Sequence, residues 1–156
     1  MFDILVDVDV SGLDQLADRL EDELAGAVAK SAFLIEAFAK MNAPVDTGAL
    51  RASLYTSTWD SGSDWGKAAA EASALRSGVT VLADIGKPSH RLEAIVAAGV
   101  NYASHVEYGT WRTSGRFYLR NAAMANLQPI RDLFAQAMRK ATRDAFSGSR
   151  LRVRAA

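Results

Sequence analysis

The chain has 156 residues, 49% apolar and 23% charged, which fits one folded domain and is too apolar for a disordered chain. Eighteen Lys and Arg balance eighteen Asp and Glu, arguing against a general nucleic-acid coat or a polybasic membrane binder. Absence of cysteine removes disulfides, thiolate metal sites and thiol nucleophiles. No apolar run reaches the roughly 18 residues of a membrane span, and the start lacks the basic residues of a signal peptide. The expectation is a soluble, intracellularly made protein.

The neutral total hides a polarity along the chain. Between Met1 and Glu23 stand eight acids and one base, Arg19, whereas Arg139 to Ala156 carries six bases and one acid, Asp144. Two readings are open: complementary surfaces that meet on neighbouring copies, or two solvated faces.

Phe2 to Val10 alternates apolar and acidic residues with a period of two and predicts a strand. Ser11 with Asp14 resembles a helix N-cap, and Leu13, Leu16, Leu20, Leu24, Val28, Ser31, Ile35 and Phe38 then recur at steps of three and four. That spacing predicts a helix from Leu13 to Met41, about 40 Å long, with this stripe buried and Pro44 as its stop. Val45 to Arg51 reads as a turn into a short helical segment, with Asp46 or Thr47 as cap and Gly48 where a side chain would crowd. Ser53 to Trp59 predicts a strand, Asp60 to Asp64 a loop, Lys67 to Arg76 a helix and Val79 to Ile85 a further strand. Arg91 to Val100 is β-like around Ile95 and Val96, and Asn101 to Glu107 is a short helix ending near Gly109. Tyr118 to Phe146 is helical with Ile130, Phe134, Ala137, Ala141 and Ala145 on one face, kinked or restarted at Pro129. Ser147-Gly148-Ser149 is a spacer before the alternating basic segment Arg150 to Arg154.

These elements predict an α+β fold: a mostly antiparallel sheet of the 2–10, 53–59, 79–85 and 91–100 segments, with the long N-terminal helix and the C-terminal helix packed on one face. Residues 1–146 would form a single domain and residues 147–156 a basic C-terminal tail. Leu16, Leu20, Leu24, Ile35 and Phe38 are the expected core of the first helix.

Catalytic signatures are sparse. His90 and His105 lack metal-ligand spacing, and neither a Gly-x-Ser-x-Gly elbow, a phosphate loop nor a dinucleotide fingerprint occurs. His105 with Glu107 and Asp84 is the one acid–base set conceivable, against the plainer reading of His105 as a packing residue. Trp59, Trp65 and Trp111 fall in or near loops and are either core residues or anchors for a partner.

Three short segments carry more information. Ala43-Pro44-Val45-Asp46-Thr47-Gly48-Ala49-Leu50-Arg51 follows the long helix. Tyr102-Ala103-Ser104-His105-Val106-Glu107-Tyr108-Gly109-Thr110 comes about fifty residues later, and Arg116-Phe117-Tyr118-Leu119-Arg120-Asn121-Ala122 opens the last helical region. Their order and spacing resemble the head–tail joining family of long-tailed bacteriophages, the neck or tail-completion proteins. That family's pattern reads Ala-Pro-x-Asp-Thr-Gly-x-Leu-Arg, Tyr-Ala-x-x-Val-Glu-x-Gly-Thr and Pro-Phe-Leu-Arg-Pro-Ala. The third segment departs from it, with Phe117 and Asn121 in the places of prolines; His105 stands where an aromatic is usual, and the Trp59 to Pro88 region is longer.

The resemblance implies a non-enzymatic virion protein without cofactor or metal, assembled as a homo-oligomeric ring, by resemblance a hexamer, in the host cytoplasm. Its partners would be the connector or head-closure protein on one side and the tail tube or terminator on the other. Motif residues Pro44, Asp46, Thr47, Gly48, Leu50, Arg51, Tyr102, Val106, Glu107, Gly109, Thr110, Leu119 and Arg120 become interface candidates. Arg150, Arg152 and Arg154 are candidates for contact with a neighbouring chain, by strand addition, or with DNA in transit. The competing readings are a head-closure or assembly factor that leaves the particle, and an enzyme using His105 and Glu107.

Overall fold

The computed structural model describes residues 4–7, 11–147 and 152–155. In chain order these form strand β1 (Ile4–Asp7), helix α1 (Ser11–Asn42), α2 (Ala49–Ala52), β2 (Leu54–Thr58), β3 (Gly62–Ser63) and α3 (Trp65–Leu75). There follow β4 (Ala94–Ala98), α4 (Ala103–Tyr108), α5 (Tyr118–Ala125), α6 (Leu127–Phe146) and β5 (Arg152–Ala155). The fold is α+β, as expected, with helix dominating.

Helix α1 stops where proline predicts. The Ala43 amide still donates to Ala39 and the Asn42 side-chain amide caps the Phe38 carbonyl at 2.8 Å, but Pro44 cannot continue the ladder. The expected 118–146 helix is two helices meeting at Asn126. That residue is buried, donates its side-chain amide to the Ala122 carbonyl at 2.8 Å and offers its own carbonyl to Ile130. Pro129 falls in the first turn of α6, where its missing N–H has no intrahelical partner to lose.

The sheet differs from expectation. It has three antiparallel strands in the order β3-β2-β4, with Leu54 opposite Ala98 and Thr58 opposite Ala94. β1 pairs instead with β5, setting Asp7 opposite Arg152 and Leu5 opposite Arg154 in a separate two-stranded ribbon. The 79–85 segment is no strand: it makes one bridge, Val81 to Val100, flanked by backbone bonds from Leu82 to Gly99 and from Asn101 to Thr80. Its other anchors are side chains, with Trp65 Nε1 donating to the Leu82 carbonyl and the Ile85 amide to the Tyr55 hydroxyl. The predicted 60–64 loop supplies β3 through a tight turn in which the Ser61 amide donates to Thr58 Oγ1.

All five residues of β2 are buried because both sheet faces are covered, not one. Leu54 and Thr56 face α1, where the Thr56 hydroxyl donates to the Glu36 carboxylate. Tyr55 packs with Trp65 and Ala68 of α3 on the other face, and Ser57 donates to the Gly86 carbonyl at 2.8 Å. The buried hydroxyls of β2 are thus satisfied, which their burial requires.

The leucine stripe of α1 is not the core. Leu13 and Phe38 are exposed, and Leu16, Leu20, Leu24, Val28 and Ile35 are half-buried. The buried residues of α1 are Ala25, Ala27, Ser31, Ala32 and Ala39; those of α6, which packs along α1, are Ala137, Ala141 and Ala145, while Ala39 joins the central core beside Tyr118 and Ala122 of α5. Small side chains let the two helices approach closely, so burial follows the alanines. Glu23 pairs with Lys140 while Lys30 lies near Leu133, so α1 and α6 run antiparallel. With Arg91 on Asp22 and Glu21, this pairing gives three acids of the first helix basic partners within the same chain; Arg91 also reaches Asp60.

Candidate functional site

The three motif segments converge on α4 in two structurally unlike nodes. The first is an open groove of about 320 Å³ lined by the whole Pro44–Leu50 turn, by Tyr102 and Val106 of α4 and by Arg76. Gly48 occupies the N-cap position of α2 with φ 87°, a left-handed conformation that favours glycine. A Cβ there would meet nothing closer than Leu75 at 3.6 Å, so conformation rather than crowding selects this glycine. Capping by side chains is weak. Thr47 Oγ1 stands 3.5 Å from the Ala49 amide, and Asp46, expected as an alternative cap, is 88% exposed with Arg76 at 4.0 Å. Arg76 also lies over the Tyr102 ring, 5.4 Å from its centroid, and so links the first two motifs. Pro44 and Arg51 are exposed, whereas Leu50 is buried in the central core beside Ala49, Leu54 and Val100.

The second node is closed. Glu107, on the last turn of α4, is 5% exposed, and its two carboxylate oxygens accept from the amides of Leu119 at 2.9 Å and Arg120 at 3.0 Å. Those are N2 and N3 amides of α5, a helix that lacks a capping side chain of its own. A carboxylate twelve residues away therefore does what a local Ser or Asp does elsewhere, with the helix dipole favouring its charge. Backbone bonds reinforce the joint: Arg116 donates to the Val106 carbonyl and Phe117 to that of Glu107. Phe117 has φ 50°, which no proline can adopt, and it spends an amide that proline lacks. The local backbone here is therefore incompatible with the proline that the resemblance places at this position.

Between α4 and α5 runs a tight hairpin. Gly109 bridges Ser114, and Thr110 and Thr113 exchange backbone bonds. Gly109 has φ 87° and ψ −177°, a region essentially reserved for glycine. A Cβ on Gly109 would lie 2.6 Å from the Thr113 oxygen and the Gly115 nitrogen, and one on Gly115 would lie 2.6 Å from the Glu107 oxygen. At the tip Trp111 is 85% exposed, with the Arg112 guanidinium 4.1 Å over its ring. Leu119 and Val106 are half-buried, and Thr110 and Arg120 exposed.

The acid–base set is not assembled. His105 is exposed, Glu107 is fully engaged by α5, and the Asp84 carboxylate accepts from Ser63 Oγ and the Gly86 amide. Among the described residues no cluster of His, Asp and Glu has metal-binding geometry. Trp65 is a packing residue, and Trp59 lies under Lys87. Arg152 and Arg154 belong to β5, while Arg150 lies outside the described residues. Sequence reading missed Arg76 and Gly115; the absence of any capping residue before Tyr118 was the signal that a distant acid closes α5.

No helix among the described residues is long and apolar enough to cross a membrane. Comparison with curated proteins and with solved structures gives no match. A family profile described as "Bacteriophage HK97-gp10, putative tail-component" matches residues 11–109, which include α1, the groove and all of α4. The long helix, the Asp-Thr-Gly turn and the Glu107 segment are thus the shared part, and the chain belongs to this HK97-gp10-like family of bacteriophage head–tail structural proteins.

Proposed function

We propose that the protein is a ring-forming subunit of the head–tail junction, a neck or tail-completion layer that joins the capsid connector to the tail. Membership of a phage tail-component family makes it a structural component of the virion. The observation that carries the finer reading is the grouping of all three motifs into one rigid unit around α4, half of it locked and half of it facing outward. A ring subunit needs such a unit, because each copy must present fixed and different surfaces to its two neighbours. In this reading six copies close the ring, with the connector or head-closure protein on one side and the tail tube or terminator on the other. Residues 1–146 form the body. The basic segment with Arg150, Arg152 and Arg154 reaches a neighbouring chain, and β5, which among the described residues pairs on one edge with β1, offers its other edge for that purpose.

Imaging purified particles and locating the chain along the head–tail axis tests this. A sixfold ring at the neck is expected. Absence from finished particles would replace this reading with an assembly factor, and a position at the distal tail tip would remove the joining role.

A further inference from the structure

The groove and the hairpin are unlike surfaces at the two ends of one helix. Tyr102 and Val106 of α4 line the groove, and the hairpin leaves from Gly109 just beyond its end. We infer that the hairpin tip, Trp111 with Arg112, docks into the groove between Pro44–Leu50 and Tyr102 on a second copy of this chain. The inference rests on the ring reading and supplies its contact.

Four observations support it. The tip is preorganised: Gly109 and Gly115 have no room for a Cβ, and Glu107 ties the base of the hairpin to α5, so little ordering entropy remains to be lost on docking. Trp and Arg are the residue types that most often dominate binding energy, and here they are presented together in solvent. The groove, at about 320 Å³, is at the small end of ligand pockets, which suits one aromatic side chain rather than a helix or strand. Its chemistry matches the tip. Pro44 and Val45 offer apolar walls, Arg76 a cation for the indole face, and Asp46 an exposed carboxylate for the Arg112 guanidinium. The chain's own tip does not fill its own groove, as the exposure of Trp111 shows. Knob and hole on different surfaces make a heterologous contact, the kind that closes rings.

Charge exchange on the full-length chain tests the pairing. Asp46→Arg and Arg112→Glu each place like charges across the contact, so each variant alone should remain folded by near-ultraviolet circular dichroism yet fail to self-associate in sedimentation. Mixed, each variant's groove meets the other's tip with opposite charge, and assembly should return. Trp111→Ala should weaken association by about 30-fold or more in every background. Normal assembly of the single variants, a mixture that stays dissociated, or a wild-type chain that remains monomeric at every concentration would each overturn the inference. Rings seen in particles alongside any of these results would leave the ring reading intact and discard only this contact. Absence of rings from particles would discard the ring reading itself.

Discussion

Gly48 and Gly109 share a φ of 87° and each sits in a family motif, yet the two are held for opposite reasons. Around Gly48 there is space, the motif residues before it, Asp46 and Thr47, are exposed, and the turn depends chiefly on backbone conformation. Around Gly109 the chain is jammed, and the adjacent Glu107 is spent inward on the amides of α5. A motif in a structural protein can therefore mark a surface or a joint. Only its surroundings tell which.

The sharpest test substitutes alanine at both glycines. Gly109→Ala combines a glycine-only backbone region with overlap against main-chain atoms, so a loss of roughly 2–6 kcal/mol is expected in denaturant unfolding. An unfolding midpoint equal to the wild type's would mean that the hairpin is not packed as described. Next, Glu107→Ala leaves two helix-terminal amides without their charged acceptor and should cost about 2–3 kcal/mol, with Glu107→Gln recovering part of it through its remaining oxygen. If Gln were no better than Ala, the bonds to Leu119 and Arg120 would not be the reason. Gly48→Ala, whose Cβ would meet only Leu75 at van der Waals distance, should cost only about 1–2 kcal/mol. A larger effect there would erase the contrast between the two turns.

The smallest effect concerns Tyr118, buried in the core beside the closed node. Its hydroxyl has no hydrogen-bond partner among the described residues, and burial, then the nearby Glu107 charge, pushes its ionisation well above the ordinary tyrosine value. The sign is fixed: above about pH 10 the unfolded chain loses this proton while the folded one keeps it, so stability falls as pH rises. Tyr118→Phe should change stability by less than about 1 kcal/mol at neutral pH and should reduce the alkaline loss. Equal alkaline slopes for Phe and Tyr would assign that loss elsewhere; Tyr55, raised mainly by burial, is the next residue to examine.

Local signals in the sequence were reliable where one chemical reason governed. Pro44 ended α1, Pro129 fell at the start of α6, and Ala137, Ala141 and Ala145 faced inward as their spacing predicts. Reading failed where two faces competed. Alanine and leucine stripes both run along α1, and hydrophobicity favours leucine, but the close approach of α6 selects alanine. Leu20, half-buried, should therefore lose less on truncation to Ala than fully buried Leu54, for which about 2–5 kcal/mol is expected. Strand pairing was equally out of reach. Period two marks Ile4–Asp7 as a strand but cannot name Arg152–Ala155 as its partner. The 79–85 segment reads as a strand although it makes one bridge to Val100 and is otherwise held in part by the side chains of Trp65 and Tyr55. The motif residues were legible as a set; that Glu107 closes a helix and Asp46 faces solvent was not, because both are acids beside a glycine turn.

The ribbon of β1 and β5 sets a clock on folding. Ile4 pairs with Ala155, so nearly the whole chain forms the loop that this contact closes. Closing so long a loop before anything else is organised is entropically unfavourable, and four-residue strands repay little of it. The helices and the three-stranded sheet, built from nearer neighbours, fold first and bring the two ends within reach. The ends are then expected to join after the body, an order that folding-rate changes on substitution within β5 would check: such substitutions should speed unfolding and leave the folding rate unchanged.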